Sequence, residues 1–115
     1  MNVRIEKINE QLKIEVSDII LRDLRDPRIG FVTVTDAQVT KDLRHAKVYI
    51  SVMGDAKQQA ESLAVLQRAA GHIRAEFGRR VHMKVIPEIV FKSDAAVEHG
   101  MHIFELLEKE KRHEQ

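Results

Sequence analysis

The spacing of the apolar residues changes abruptly near Pro27, and this change constrains the fold more than any other feature of the sequence. From Asn2 to about Arg25, apolar residues recur at the helical period of about 3.6 and charged residues lie between them. The predicted stripe comprises Ile5, Ile8, Leu12, Val16, Ile19 and Ile20. Pro27 ends the helix because the residue before a proline disfavours helical backbone. Two stretches within residues 31–52 then alternate apolar with polar, as in strands with one buried face. The chain must therefore pack a helix against a small sheet.

The alternating stretch divides into two predicted strands. The first begins at Phe31 and runs to Val39, and its apolar parity shifts at Asp36, which a β-bulge would explain. The second alternates cleanly from Ala46 to Val52, after the connecting residues 41–45. The pattern predicts a hairpin with one solvated face.

A second helical pattern begins at Ala56, where Asp55 is the expected N-cap. Gly71 lies within this pattern, and a glycine inside a helix costs about 1 kcal/mol relative to alanine, so we expect a kink there. The predicted buried stripe before the kink comprises Ala60, Leu63, Leu66 and Ala70, and the stripe after it comprises Ile73, Phe77 and Val81.

A third strand from Glu88 to Lys92 and a final helix capped by Ser93-Asp94 complete the predicted order: helix, strand, strand, helix, kink, helix, strand, helix. The apolar positions of the last helix are Val97, Met101, Phe104 and Leu107. We expect one α+β domain over residues 1–107, with a small sheet packed on helices, and a frayed polar tail over residues 108–115.

The net charge of +1 hides an uneven distribution along the chain. Residues 56–85 carry six basic and two acidic side chains, whereas residues 86–115 carry four basic and seven acidic ones. Arginine presents a planar fork that matches phosphate oxygens, and glycine lets a phosphodiester approach the backbone. The basic segment therefore predicts RNA binding, and the alternative is a solvated helix face. The predicted contacts are Arg68, Ala69, Gly71, Arg74, Arg79, Arg80 and Lys84, with a second contact at Lys41, Arg44 and Lys47.

Several classes of function are disfavoured by the composition. The absence of cysteine removes disulfide scaffolds and thiolate sites, and no stretch approaches the roughly 20 apolar residues of a membrane span. His99 and His102 are three residues apart, a spacing that differs from the zinc-protease motif. We therefore expect a soluble, cytoplasmic monomer that is not an enzyme and needs no metal or cofactor. The alternative hypothesis is a protein–protein interaction module with an incidental basic face.

Six short segments, in this order and at this spacing, resemble the bacterial ribosome-binding factor A family. They are Asp26-Pro27-Arg28, Phe31-Val32-Thr33-Val34-Thr35, Asp42-Leu43, Ala46-Lys47-Val48-Tyr49-Ile50-Ser51, Ala69-Ala70-Gly71-His72-Ile73-Arg74, and Pro87-Glu88-Ile89-Val90-Phe91 with Asp94 and Gly100. The resemblance extends from the start of the first helix to about Leu107. One departure is Ala96, where a serine is common in the family.

The resemblance implies a type II KH-like fold in which an Ala-x-Gly kink replaces the usual Gly-x-x-Gly loop. It also implies an assembly factor that binds the free small (30S) ribosomal subunit, alongside other assembly factors. Such factors assist late maturation and processing of the small-subunit (16S) ribosomal RNA, above all in the cold.

Overall fold

The computed structural model describes residues 2–24 and 26–94. They form three helices and one three-stranded sheet. The elements are α1 (Val3–Asp23), β1 (Val32–Val39), β2 (His45–Val52), α2 (Ala56–Arg68), α3 (Ala70–Arg80) and β3 (Glu88–Ser93). The predicted final helix and polar tail lie outside the described residues. No helix in the described ranges is long and apolar enough to cross a membrane.

Helix α1 follows the predicted stripe closely. The side chain of Asn2 caps its first turn by accepting hydrogen bonds from the Arg4 and Ile5 amides. The helix ends at Asp23, and residues 26–30 form the turn expected around Pro27. The residues that α1 buries are Ile8, Leu12, Val16, Ile19 and Ile20. The helical period alone was sufficient to identify this face.

The sheet has the order β1-β2-β3. Strands β1 and β2 pair antiparallel as the predicted hairpin, with a register shift between Val34 and Asp36 that confirms the bulge. Strand β3 pairs parallel to β2, so the chain must cross from one end of the sheet to the other between them. Helices α2 and α3 form this crossover.

The predicted N-cap of α2 is confirmed, because Asp55 and Gln58 form a reciprocal capping box. Two details of the second helical pattern are corrected. Ala60 is exposed, and the buried face is centred on Ser62, Val65 and Leu66. A pattern of apolar residues cannot predict this face, because one of its buried residues, Ser62, is polar. The helices separate at Ala69, the shared cap residue, whereas Gly71 lies in the first turn of α3.

The core lies between the three helices and one face of the sheet. The helices contribute Leu12, Ile19, Leu66, Ile73 and Phe77, all of which are completely buried. From the sheet, Val48 and Ile50 of β2 meet them. The predicted stripe of α3 is confirmed, because Ile73, Phe77 and Val81 are all buried.

Ser62 attaches α2 to the turn that precedes β1. Its hydroxyl oxygen accepts a hydrogen bond from the Gly30 amide at 3.0 Å, and the hydroxyl donates to the Arg28 carbonyl at 3.3 Å. Ser62 is 1% exposed, so water does not compete for either group. Buried polar groups are stabilising only when they are paired, as they are here.

Asp26 orders the same turn from within. Its carboxylate accepts hydrogen bonds from the Arg28 amide at 2.9 Å and from two nitrogens of the Arg28 guanidinium, the shorter at 2.6 Å. These bonds stabilise the charged carboxylate and lower the pKa of Asp26 from 3.8 to about 2. The turn is thus fastened at both ends, by Asp26 and by Ser62.

We expect Ser62→Ala to lower the free energy of unfolding by about 1–3 kcal/mol, because it leaves the Gly30 amide and the Arg28 carbonyl without a partner. Chemical denaturation at neutral pH measures this difference. Ser51→Ala on the exposed face of β2 is the matched control and should change stability by less than about 0.5 kcal/mol. Equal effects of the two substitutions would contradict this role of Ser62.

The Asp26 carboxylate should also make stability depend on pH. Because its pKa is lower in the folded chain, its stabilising effect is complete above pH 3.8 and is lost as the pH falls to about 2. We expect the unfolding free energy of the unmodified protein to fall more steeply over this range than that of Asp26→Asn. Denaturation curves at a series of acidic pH values measure both slopes, and parallel curves would refute the prediction.

Candidate nucleic-acid interface

An open groove with a volume of ≈ 610 Å³ lies between α3 and the connection that leads from it into β3. We call it the α3 groove, and it is lined by Gly71, Arg74, Ala75, Gly78, Arg79, Lys84, Val85 and Ile86. Four of the residues predicted to contact RNA are therefore neighbours in space: Gly71, Arg74, Arg79 and Lys84.

Contacts between α3 and the connection shape the groove. The Arg74 guanidinium donates from Nε and Nη2 to the Ile86 carbonyl, at 3.2 and 2.8 Å. Gly78 faces the Ile86 side chain, and a Cβ atom at this glycine would lie 3.2 Å from Ile86 Cγ1. This close approach gives Gly78 a structural role that the sequence did not reveal, since an isolated glycine in a helical pattern was its only signal.

The groove is basic and accessible. Within the described part of the chain, three cationic side chains line it and no carboxylate does. Arg79 also pairs at 2.9 Å with Glu76, which lies outside the lining. Gly71 is exposed, and a Cβ atom added there would meet nothing within 4 Å. A phosphate group could thus approach both the guanidinium groups and the first turn of α3.

Arg80 lies apart from the α3 groove. Its Nη1 atom is 2.7 Å from Asp18 Oδ2 and 3.1 Å from Glu15 Oε2 of α1, and its side chain is 27% exposed. These hydrogen bonds raise the pKa of Arg80, and the bond from Arg80 lowers the pKa of Asp18. The structure therefore gives Arg80 a role in joining α3 to α1.

Arg68 and Ala69 lie at the junction of α2 and α3. The Ala69 amide donates to the Val65 carbonyl and its own carbonyl accepts from the Ile73 amide, so the chain stays hydrogen-bonded across the break. Arg68 lines a different open cleft, together with Asp26 and Arg28. The kink thus separates Arg68 from the groove on α3.

The three basic residues of the hairpin form a separate group around the β1–β2 connection. Asp42 organises that connection by accepting hydrogen bonds from the Thr40 hydroxyl and the Arg44 amide, which lower its pKa. Lys41 and Arg44 are exposed there, and Lys47 projects from the uncovered face of β2. None of the three lines the α3 groove.

In residues 2–24 and 26–94, no cluster of three or more histidine, aspartate or glutamate side chains could hold a metal ion. The pair His99 and His102 lies outside these ranges.

Known proteins resemble this chain along nearly its whole length. The family model described as ribosome-binding factor A matches residues 4–107. Ribosome-binding factor A of Desulfitobacterium hafniense is 52% identical over 112 residues, which cover 97% of this chain and 90% of that protein. Ribosome-binding factor A of Halothermothrix orenii is 51% identical over 112 residues, with 97% and 92% covered.

Known structures resemble the fold as well. The crystal structure of ribosome-binding factor A from Thermus thermophilus superposes with a TM-score of 0.69 at 28% identity, covering 77% of this chain and 94% of that one. The Thermus thermophilus protein fitted into the cryo-electron-microscopy map of its 30S complex gives a TM-score of 0.62 at 30% identity, with 73% and 88% covered. The fold is accordingly KH-like. The match along residues 4–107 and the identity of 52% to a relative show that the chain belongs to the ribosome-binding factor A family.

Proposed function

We propose that this protein is an assembly factor that binds the free small ribosomal subunit in the cytoplasm and assists late maturation and processing of its RNA. The observation that carries the proposal is the α3 groove, where three cations and an exposed glycine meet and no carboxylate of the described chain joins the lining. The Thermus thermophilus relative in its complex with the 30S subunit supports the same partner. The mechanism needs no catalytic residue.

The groove would contact the phosphate backbone of the RNA. Arg74 has five N–H donors, and the Ile86 carbonyl engages only two of its nitrogens, so donors remain for a phosphate oxygen. Because the guanidinium is already fixed, little side-chain entropy is lost on binding. Arg79 and Lys84 would add charge at either side. Phosphate contacts of this kind set the position of the protein on the RNA.

The hairpin would provide the second contact, through Lys41, Arg44 and Lys47. Arg68 would extend the first contact past the kink, toward the cleft that it lines with Arg28. Arg80 would act indirectly, because its bonds to Asp18 and Glu15 hold α3 in place. Binding of these surfaces would stabilise an immature RNA conformation and exclude competing partners until maturation is complete.

Reversing two charges of the groove should weaken binding to the subunit. We expect Arg79→Glu with Lys84→Glu to reduce affinity at least about tenfold. The slope of log affinity against log salt concentration should also become shallower, by an amount that corresponds to the loss of roughly 1–2 phosphate contacts. Co-sedimentation of the purified protein with free small subunits, over a series of salt concentrations, measures both quantities.

The matched control reverses two exposed lysines outside the groove, Lys7→Glu with Lys57→Glu, and changes the net charge equally. If both double variants lose the same affinity, the effect is one of total charge and the groove is not the interface. Sedimentation of the unmodified protein with whole ribosomes in preference to free small subunits would contradict the proposed function itself.

Gly71→Ala separates folding from binding. The added Cβ atom has open space, and alanine is the better helix former, so we expect stability to stay equal or to rise by up to about 1 kcal/mol. Binding to the small subunit should weaken, because the methyl group would keep a phosphate from the first turn of α3. Thermal denaturation and the same sedimentation assay test the two effects, and unchanged affinity would exclude close RNA contact at Gly71.

A further inference from the structure

The edge of the sheet formed by β1 is only partly protected. In its second half, the outward amide of Val39 donates to the Asn9 side chain and that of Ala37 to the Asp36 side chain. Side chains thus occupy the edge at these two positions, which blocks pairing with another strand there.

The first half of the edge differs. The Met53 amide donates to the Phe31 carbonyl, which places Phe31 and Thr33 in hydrogen-bonded pairs with β2 and turns the amides of Val32 and Val34 outward. Among the residues that the structure describes, no side chain accepts a hydrogen bond from either outward amide. Two donors and two acceptors therefore remain available for a strand.

An apolar groove runs beside this free edge. We call it the edge groove, and it lies between the end of α1 with Leu24 and residues 29–34, with a volume of ≈ 290 Å³. Two large apolar side chains on its rim are mostly exposed, Leu21 at 79% and Phe31 at 74%. Exposed apolar side chains beside a free strand edge are typical of a surface that receives a partner strand.

Charge distinguishes between the possible occupants. Over residues 2–24 and 26–94, no lysine, arginine or histidine lines the edge groove, and Asp26 is the one charged lining residue. Asp36 follows at the bulge end of the free edge, where it is exposed. Asp26 is already paired with Arg28, so Asp36 is the carboxylate left for a partner. Because the described part of the lining is apolar and holds no cation for a phosphate, RNA is disfavoured and a protein segment with a basic end beside Asp36 is favoured.

We propose that the edge groove binds a short extended segment of another protein, which pairs with Val32 and Val34 as an added strand. The segment carries aliphatic side chains at alternate positions and a lysine or arginine beside Asp36. This site goes beyond the proposed RNA contact and includes none of the basic residues assigned to that contact. The bulge between Val34 and Asp36 limits the pairing to a few residues.

A synthetic peptide of sequence KTVTVTVK provides the probe, and amide NMR spectra of the full chain provide the measurement. We expect shifts at residues 31–34 and slower hydrogen exchange of the Val32 and Val34 amides in the presence of the peptide. The same peptide with glutamate at both ends should bind more weakly. Absence of these changes at millimolar peptide would overturn the proposal.

Substitution of Leu21 locates the site. Leu21→Glu should weaken peptide binding about tenfold, because an apolar contact is lost and a carboxylate is added to the groove. Since Leu21 is mostly exposed, the fold should persist. Ile14→Glu is the matched control, because Ile14 is 63% exposed on the same helix but does not line the groove.

A second variant tests strand pairing directly. Val34→Pro removes an outward donor that the ladder to β2 does not use, so it should abolish peptide pairing without breaking the hairpin.

Two other results would refute a protein partner of this kind. Self-association of the unliganded protein that Leu21→Glu abolishes would identify a second copy as the occupant. Loss of binding to protein-free small-subunit RNA in Leu21→Glu would identify RNA.

Discussion

The parallel pairing of β3 with β2 is the constraint on which the rest of the structure depends. A parallel pair cannot be joined by a tight turn, so the chain must cross the covered face of the sheet between the two strands. Helices α2 and α3 make that crossing, and the break at Ala69 lets each of them lie on the core separately. The return of the chain toward β3 then brings the connection against α3 and forms the groove.

The distribution of charge follows from this arrangement. α3 carries basic residues on two faces, and tertiary packing gives the two faces different roles. On one face, Arg80 is bound by the carboxylates of α1, whereas Arg74 and Arg79 remain at the open groove on the other. A net charge near zero is thus compatible with a locally basic surface: at the groove, within the described residues, only Arg79 has a carboxylate partner, Glu76, whereas Arg80 is held by two carboxylates of α1.

Much of the fold could be predicted from the sequence because its signals are local. The helical period of α1, the parity shift at Asp36 and the cap at Asp55 each depend on neighbouring residues, and the structure confirms all three. The prediction was wrong at Ala60 and imprecise at the kink. At Ala60 the outcome depends on a distant contact, because the buried face of α2 includes Ser62, whose hydroxyl bonds to a turn more than thirty residues away.

By itself, the sequence determined the class of fold, the hairpin with its bulge, and the segment in which basic residues concentrate. The tertiary structure alone decided which basic residues share a groove, because α3 turns Arg80 toward α1 and Arg74 toward Ile86. It also decided which half of the β1 edge is free, since Asn9 protects Val39 from thirty residues away. Periodicity reports which face of an element is apolar, but pairing between distant polar groups is fixed only when the elements pack.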